Sequence, residues 1–286
     1  MVTRVDVRSE PESTAARVAE LRRYMRRNVL RGHEFVCRSW EACERSVGGS
    51  DSFTEGQLSH VGQHYDLTVG GRSLRVVVVG QEVGAAGGPR ITLADRHRAI
   101  ATSSGLEKRF LKEPGRPRRN PHMRGTTLAL RRVFGLTGLD HEGEFLDLDS
   151  TRAHLFECFA LVNRLLCAAH AAGTSTGVST KTMMTNCERH FEATMRILDP
   201  TVVIIQGIRV WRWSQGVLGP RQQLSDHLFL CDPFGRDVLV ATFSHPSARG
   251  PLRWDLPEKP YVRHVVGPTL DRVRRELLAS APARRD

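Results

Sequence analysis

The chain has no apolar run approaching the ~20 residues that a membrane-spanning helix requires, which excludes a helical membrane protein. The N-terminus is charged from the start and does not read as a signal peptide, so a cytoplasmic protein with no membrane partner is expected. There is no internal repeat. A glycine-rich stretch spans residues 80–88, but neither Gly-x-Gly-x-x-Gly nor a Walker spacing occurs, so no nucleotide cofactor is expected. None of the six cysteines forms a closely spaced zinc-type pair, and in a cytoplasmic chain they are metal ligands or buried thiols rather than disulfides. Acidic residues are in deficit, 31 against 42 Lys and Arg, giving a net charge of +11 carried mostly by Arg. Arg suits bidentate phosphate contact, so nucleic acid is the favoured partner; a merely solvated basic surface is the competing account.

Two segments carry most of the remaining information. Arg75-Val-Val-Val-Val-Gly80-Gln81-Glu82-Val83-Gly84 and Leu239-Val-Ala-Thr-Phe-Ser-His245-Pro-Ser247 are β-branched apolar runs that stop at polar turns. Such runs predict strands buried on both faces, and ligands of such sheets bind where the strands end. Gln81, Glu82, His245 and Ser247 are therefore expected at the rim of one pocket.

Along the chain, helices are expected over 12–30, 33–46, 126–134, 182–198 and 261–278, with a further helix carrying Trp211 and Trp213. A hairpin turning at Gly70-Gly71 is expected within 64–79, and another joins 228–231 to 238–243. Residues 155–166 and 202–206 read as strands, and 106–119 as a basic, proline-broken loop that faces either a phosphate backbone or solvent. The alternation predicts an α/β fold, a three-layer α/β/α arrangement on a central, mostly parallel sheet. Residues 1–32 read as an N-terminal helical extension, 33–279 as the main domain and 280–286 as a disordered tail; a monomer is expected.

These segments resemble, in order, the motifs of the uracil-DNA glycosylase superfamily, most closely its iron–sulfur branch. Gly80-Gln81-Glu82-Val83-Gly84 is similar to the family's Gly-Gln-Asp-Pro-Tyr or Gly-Glu-x-Pro-Gly turn, and His245-Pro246-Ser247 to its His-Pro-Ser. Phe159-Ala-Leu-Val-Asn163-Arg-Leu-Leu-Cys167 is similar to the strand ending in a base-reading Asn, followed by a cluster cysteine. Cys187, ahead of Val202-Val-Ile-Ile-Gln-Gly207, matches another cluster position, and Asn120-Pro-His122-Met-Arg-Gly resembles Gly-Arg-Pro-Phe-Val-Gly.

The resemblance implies a DNA glycosylase that flips a pyrimidine out of the stack and hydrolyses its N-glycosidic bond. It assigns His245 to the departing base, Glu82 to water or the sugar cation, Gln81 to the turn beside the base, and Asn163 to the base edge. Gly80, Gly84, His122 and Ser247 complete the expected pocket. Leu252 or Arg253 is the expected wedge into DNA and Arg249 a phosphate contact; Leu252 packing on the core is the other possibility. Cys37, Cys43, Cys167 and Cys187 are the set implied for a [4Fe-4S] cluster, although five residues separate Cys37 from Cys43 where the family has two; Cys158 and Cys231 read as buried free thiols. Gly84 in the Tyr place and His122 in the Phe place depart from uracil-specific members and imply a remodelled pocket. Uracil and a 5-modified cytosine both stand as substrates, with repair or defence against modified phage DNA as roles. A fold that binds such DNA without cleaving it is the alternative.

Overall fold

The computed structural model describes residues 7–49, 51–82, 90–149, 151–174 and 177–279. Seven strands form the central sheet: β1 His60–Val61, β2 Val76–Gly80, β3 Ala160–Asn163, β4 Val202–Gln206, β5 Pro220–Ser225, β6 Leu228–Cys231 and β7 Val238–Phe243. Their order is β5-β6-β7-β4-β2-β3-β1, and the four inner strands β7, β4, β2 and β3 run parallel. The outer strands β6 and β1 pair antiparallel with β7 and β3, and β5 with β6.

Alternation along β2 explains the layers. Val77 and Val79 face one apolar cluster and Val76 and Val78 the other. The first cluster is built with Leu21 and Met25 of α1 (Pro11–Asn28), Met184, Phe191 and Met195 of α5 (Lys181–Leu198), and Trp211 of α6 (Ile208–Leu218). The second is built with Leu128 and Leu130 of α4 (Pro121–Phe134) and Leu270 and Val273 of α7 (Gly267–Ala279). Two short helices, α2 (Trp40–Arg45) and α3 (Leu93–His97), complete the helical set used below. Helices thus cover both sheet faces, as expected, and α1 belongs to the same core as β2 rather than standing apart. Among the described residues no helix is long and apolar enough to cross a membrane.

The expected hairpins form. Gly70 and Gly71, at φ +57° and +80°, turn Leu67–Val69 into Arg72–Leu74, and β6 returns into β7. Three expectations require correction. The helix expected over 33–46 is confined to Trp40–Arg45, because Leu30–Arg31 folds back on Glu34–Phe35 around Gly32 at φ +60°. The strand expected over 155–166 shrinks to Ala160–Asn163, since residues Leu155–Glu157 make a 3-10 turn that takes Gly62 into contact with Glu157. The loop 106–119 is exposed over 111–118, but Arg119 is fully buried and faces no phosphate. The expected tail 280–286 lies outside the described residues.

Arg119 is buried because its partner is. The Glu144 carboxylate accepts from Arg119 Nη2 at 2.6 Å, Arg131 Nη2 at 2.9 Å and His154 Nε2 at 3.0 Å. Burial alone would raise its pKa; the bonds from His154 and Arg119, with Arg119's charge, carry it down to about 2. A carboxylate whose folded-state pKa lies below its ordinary value contributes stability at neutral pH, and this is lost as pH falls from about 4.5 toward about 2. Glu144→Gln is expected to cost ~3–5 kcal/mol, because it leaves two buried guanidinium groups without their counter-charge. Thermal unfolding at pH 7 measures the loss, and the wild-type–variant difference should shrink at pH 3.

Candidate active site

The polar residues gather where the parallel strands end. Asn163, the last residue of β3, lies in register with Gly80, the last of β2. Ile205 pairs with Val79, so Gln206 of β4 flanks Gly80 on the other side, and Gln206 itself pairs with Phe243 of β7, two residues before His245. Four adjacent strands therefore deliver Asn163, Gly80, Gln206 and His245 to one edge of the sheet.

Helix α4 closes this edge from one face. Asn120 caps it, its Oδ1 accepting from Met123 N at 2.8 Å, and Pro121 occupies its first turn. This fixes His122 over Gly80: a Cβ on Gly80 would have His122 Cε1 and Asn163 Oδ1 as neighbours, each at 3.6 Å. The rings of His122 and His245 lie nearly parallel, 12° apart in plane and 5.6 Å between centroids. Burial, with lesser contributions from His245 and Arg96, holds His122 neutral with a pKa of about 3.

His245 follows β7 in a tight turn. Its Nδ1 lies 3.2 Å from Ser247 N and 2.7 Å from Ser247 Oγ. A backbone N–H can only donate, so Nδ1 is an acceptor and the neutral ring carries its proton on Nε2. Burial lowers its pKa and favours that neutral form. Ser247 thus sets the tautomer of His245. Gly125 of α4 lets this turn approach: a Cβ there would lie 2.5 Å from Pro246 Cβ.

Glu82 follows β2. Burial raises its pKa to about 7, against the opposing effects of Gln81, the Ala169 backbone and the charge of Arg209. Gln81 Nε2 donates to Glu82 Oε1 at 3.1 Å and to Ser179 Oγ at 2.7 Å, so the amide side chain orients the carboxylate. Near neutral pH such a group exchanges a proton readily, which suits it to water activation.

Four buried polar atoms at this edge have no hydrogen-bond partner among the described residues: Glu82 Oε2, His122 Nδ1, Asn163 Nδ2 and Gln206 Oε1. Leaving one such atom unpaired costs ~1–3 kcal/mol, and their concentration around Gly80 marks a place built to meet a polar ligand. Gln206 was not a candidate from sequence. Its signal is a lone amide closing an otherwise apolar strand, aligned with Asn163.

The remaining candidates divide. Leu252 is exposed, and Arg249 stands at the surface on the turn that follows Ser247. Arg253 is held to Asp255 at 2.6 and 2.9 Å, and Asp255 also binds the buried Arg124 of α4. Arg253 is thus tied to the turn through Asp255 although its side chain is 41% exposed, and Leu252 is similarly exposed, at 44%. Gly84 lies outside the described residues.

Cys37, Cys43, Cys167 and Cys187 are all buried, and each of Cys167 and Cys187 lies close enough to Cys37 and Cys43 to sense their charge. Backbone groups of Gly56 and Leu166 hydrogen-bond Cys167 and Cys187, and Asn186 Nδ2 donates to Cys43 Sγ at 3.4 Å. His190 Nε2 lies 3.6 Å from Cys37 Sγ. The four sulfurs are not drawn together as ligands of a single ion are, but a cluster holds its thiolates apart around its own metal and sulfide atoms. Donors reach Cys43, Cys167 and Cys187, which suits thiolate ligands of such a group, whereas His190 Nε2 accepts from Arg189 Nε and gives Cys37 none. The tighter trio His141, Glu144 and His154 does not suit a cation, because two guanidinium groups already occupy Glu144.

Neither a protein-family model nor a curated protein sequence matches the chain.

Gly125→Ala tests the contact that seats the His245 turn. In a helix this change ordinarily stabilises by up to ~1 kcal/mol; here, overpacking against Pro246 is expected to reverse the sign and cost ~1–3 kcal/mol. Thermal unfolding gives the stability, and the imidazole NMR signals of His245 should move with it. A stabilised variant with unmoved signals would show that this contact does not position the turn.

Proposed function

We propose that this chain is a DNA N-glycosylase with a uracil-DNA glycosylase-like fold, which extrudes a pyrimidine nucleotide and hydrolyses its glycosidic bond. The observation that carries this reading is the set of partnerless polar atoms around Gly80, at the carboxyl ends of parallel strands, with a neutral His and a carboxyl of pKa about 7 beside them.

In this reading the flipped base enters over Gly80 and meets the amide of Asn163. As the bond lengthens, negative charge builds on the base and positive charge on the sugar. Nε2–H of His245 donates to a carbonyl oxygen of the departing base, a bond that strengthens as that charge grows. Glu82, as carboxylate, takes a proton from water attacking the anomeric carbon and offsets the sugar's charge. The base leaves with the bonding electron pair, and the water oxygen replaces it at the sugar. The net charge of +11 attracts the DNA backbone, and Leu252 fills the vacated stack. Cys37, Cys43, Cys167 and Cys187 would hold an iron–sulfur cluster, which would supply structure rather than hydrolysis.

Base release from duplex and single-stranded DNA containing uracil, hypoxanthine, thymine mismatches or 5-modified cytosines tests the reading. One base class should be released, with His245→Ala and Glu82→Ala each lowering the single-turnover rate by ~10²–10³. The rate should rise with pH through about 7 as Glu82 ionises, and Glu82→Gln should abolish that limb. Tight binding without release from any substrate would leave a DNA-binding protein that does not cleave.

The cluster has its own test. Protein purified without oxygen should be brown and contain iron, and Cys167→Ser or Cys187→Ser should remove the colour while Cys158→Ser keeps it. Colourless wild-type protein free of iron would exclude the cluster.

A further inference from the structure

Gln206 closes β4 between the strand that carries Gly80 and the strand that leads to His245. It is 1% exposed, and its Oε1 has no hydrogen-bond partner among the described residues. Its other end is fixed: Nε2 donates to Thr126 Oγ1 at 3.0 Å. Thr126 in turn donates its hydroxyl proton to the carbonyl of His122, 3.1 Å away and one helical turn back. With that proton committed, Thr126 Oγ1 can only accept, so the amide of Gln206 cannot be turned over without losing a bond. Gln206 consequently presents its Oε1 as an acceptor beside Gly80. Across Gly80, Asn163 keeps an unpartnered donor, Nδ2.

From this we infer that Gln206 is a specificity-determining residue that selects a base bearing an exocyclic amino group. The inference rests on the glycosylase reading for its substrate and deepens it. An amino group beside a ring acceptor is the edge of cytosine and its 5-substituted forms, and adenine carries the same pattern. Uracil and thymine turn a carbonyl oxygen toward the position where cytosine has its amine. Facing Gln206 Oε1, that oxygen sets two acceptors against each other with no proton between them. Buried sites of this kind discriminate strongly, because the wrong partner leaves the protein's own polar atom unpaired. Thr126 is a positioning residue here, since it acts only by fixing which end of Gln206 faces the base.

The test compares substrates as ratios, which a general loss of activity does not move. Duplexes carrying cytosine, 5-hydroxymethylcytosine, adenine, uracil or 5-hydroxymethyluracil at one site are assayed for release. The same duplexes built on 2′-fluoroarabino sugars, which resist hydrolysis, are assayed for binding. Wild-type protein is expected to favour an amino-bearing base over its carbonyl counterpart by ~100-fold or more, and the cytosine and adenine arms identify which. Gln206→Met should bring that ratio to within about threefold of unity. Thr126→Val, which keeps side-chain shape and leaves Gln206 in place, frees the amide to turn over and should raise acceptance of uracil while retaining cytosine. If Gln206→Met does not fold, the Thr126→Val ratio decides. Preference of the wild type for uracil, or an unchanged ratio in the variants, overturns the inference while leaving a glycosylase. Selective binding lost in Gln206→Met, with no release from any duplex, keeps the inference and overturns the hydrolytic reading.

Discussion

The site depends on arginines buried around one helix. Arg119, just ahead of α4, and Arg131, near its end, share the carboxylate of Glu144, and Arg124, between them, pairs with Asp255. Each pair ties α4 to a different stretch of chain: Glu144 precedes the strand segment Phe145–Asp147, and Asp255 follows the turn that carries His245. Bringing these charges out of water is costly, and apolar residues of the same volume could well give a more stable core. What ion pairs supply is direction. A guanidinium has few geometries in which all its donors are met. Arg119 meets Ser104 O, Gly105 O and Thr127 Oγ1 as well as Glu144. The N-terminus of α4 is thereby held in one position, and His122 with it. The close approach of Gly125 to Pro246, with Trp254 sealed behind it, sets the His245 turn against the same helix.

The sheet explains why the chemistry collects at one edge. In β7, β4, β2 and β3 the side chains are buried and, apart from Thr242, apolar up to the strand ends, so polar groups gather where the strands stop. Parallel direction puts those stops side by side. The opposite ends of the same strands line a cleft of about 1000 Å³, which contains Leu74, Thr201 and Leu239 with Phe134, Leu146 and Leu277. Among the described residues that cleft holds none of the partnerless buried atoms around Gly80, although Arg72 on its lining has one of its own, Nε.

The legibility of the chain follows the same division. Val76–Gly80, Val202–Gln206 and Val238–Phe243 are evident in sequence because burial on both faces leaves no polar position to obscure the run. Glu82, Gln81 and His245 could be picked out because each follows such a run, whereas Asn163, inside the strand expected over 155–166, was marked only by its resemblance to the family's strand-ending Asn. Gln206 ends one too, yet a glutamine before a glycine carries no motif, and its meaning comes only from Thr126, 80 residues earlier. Arg119 was misread for a related reason. It sits in a stretch with Lys108, Arg109, Lys112, Arg116 and Arg118, and nothing local separates it from them; its counter-charge is 25 residues on. The helix expected over 33–46 failed on Gly32, which reverses the chain into a short hairpin just beyond α1.

Burial sets the electrostatic character of the site. It keeps His122 neutral and lowers the pKa of His245, so the pocket offers polarity with little fixed positive charge. Glu82, with its pKa near 7, is divided between acid and carboxylate, and is the acidic side chain among the candidate residues. Burial sets that balance: the same dehydration that keeps His122 uncharged lifts Glu82 toward neutrality. A carboxylate made this reluctant to ionise is a stronger base toward water than an exposed one, and gains more when positive charge appears on a sugar nearby. Gly177 makes close packing of this carboxylate possible: a Cβ there would lie 2.3 Å from Glu82 Oε1.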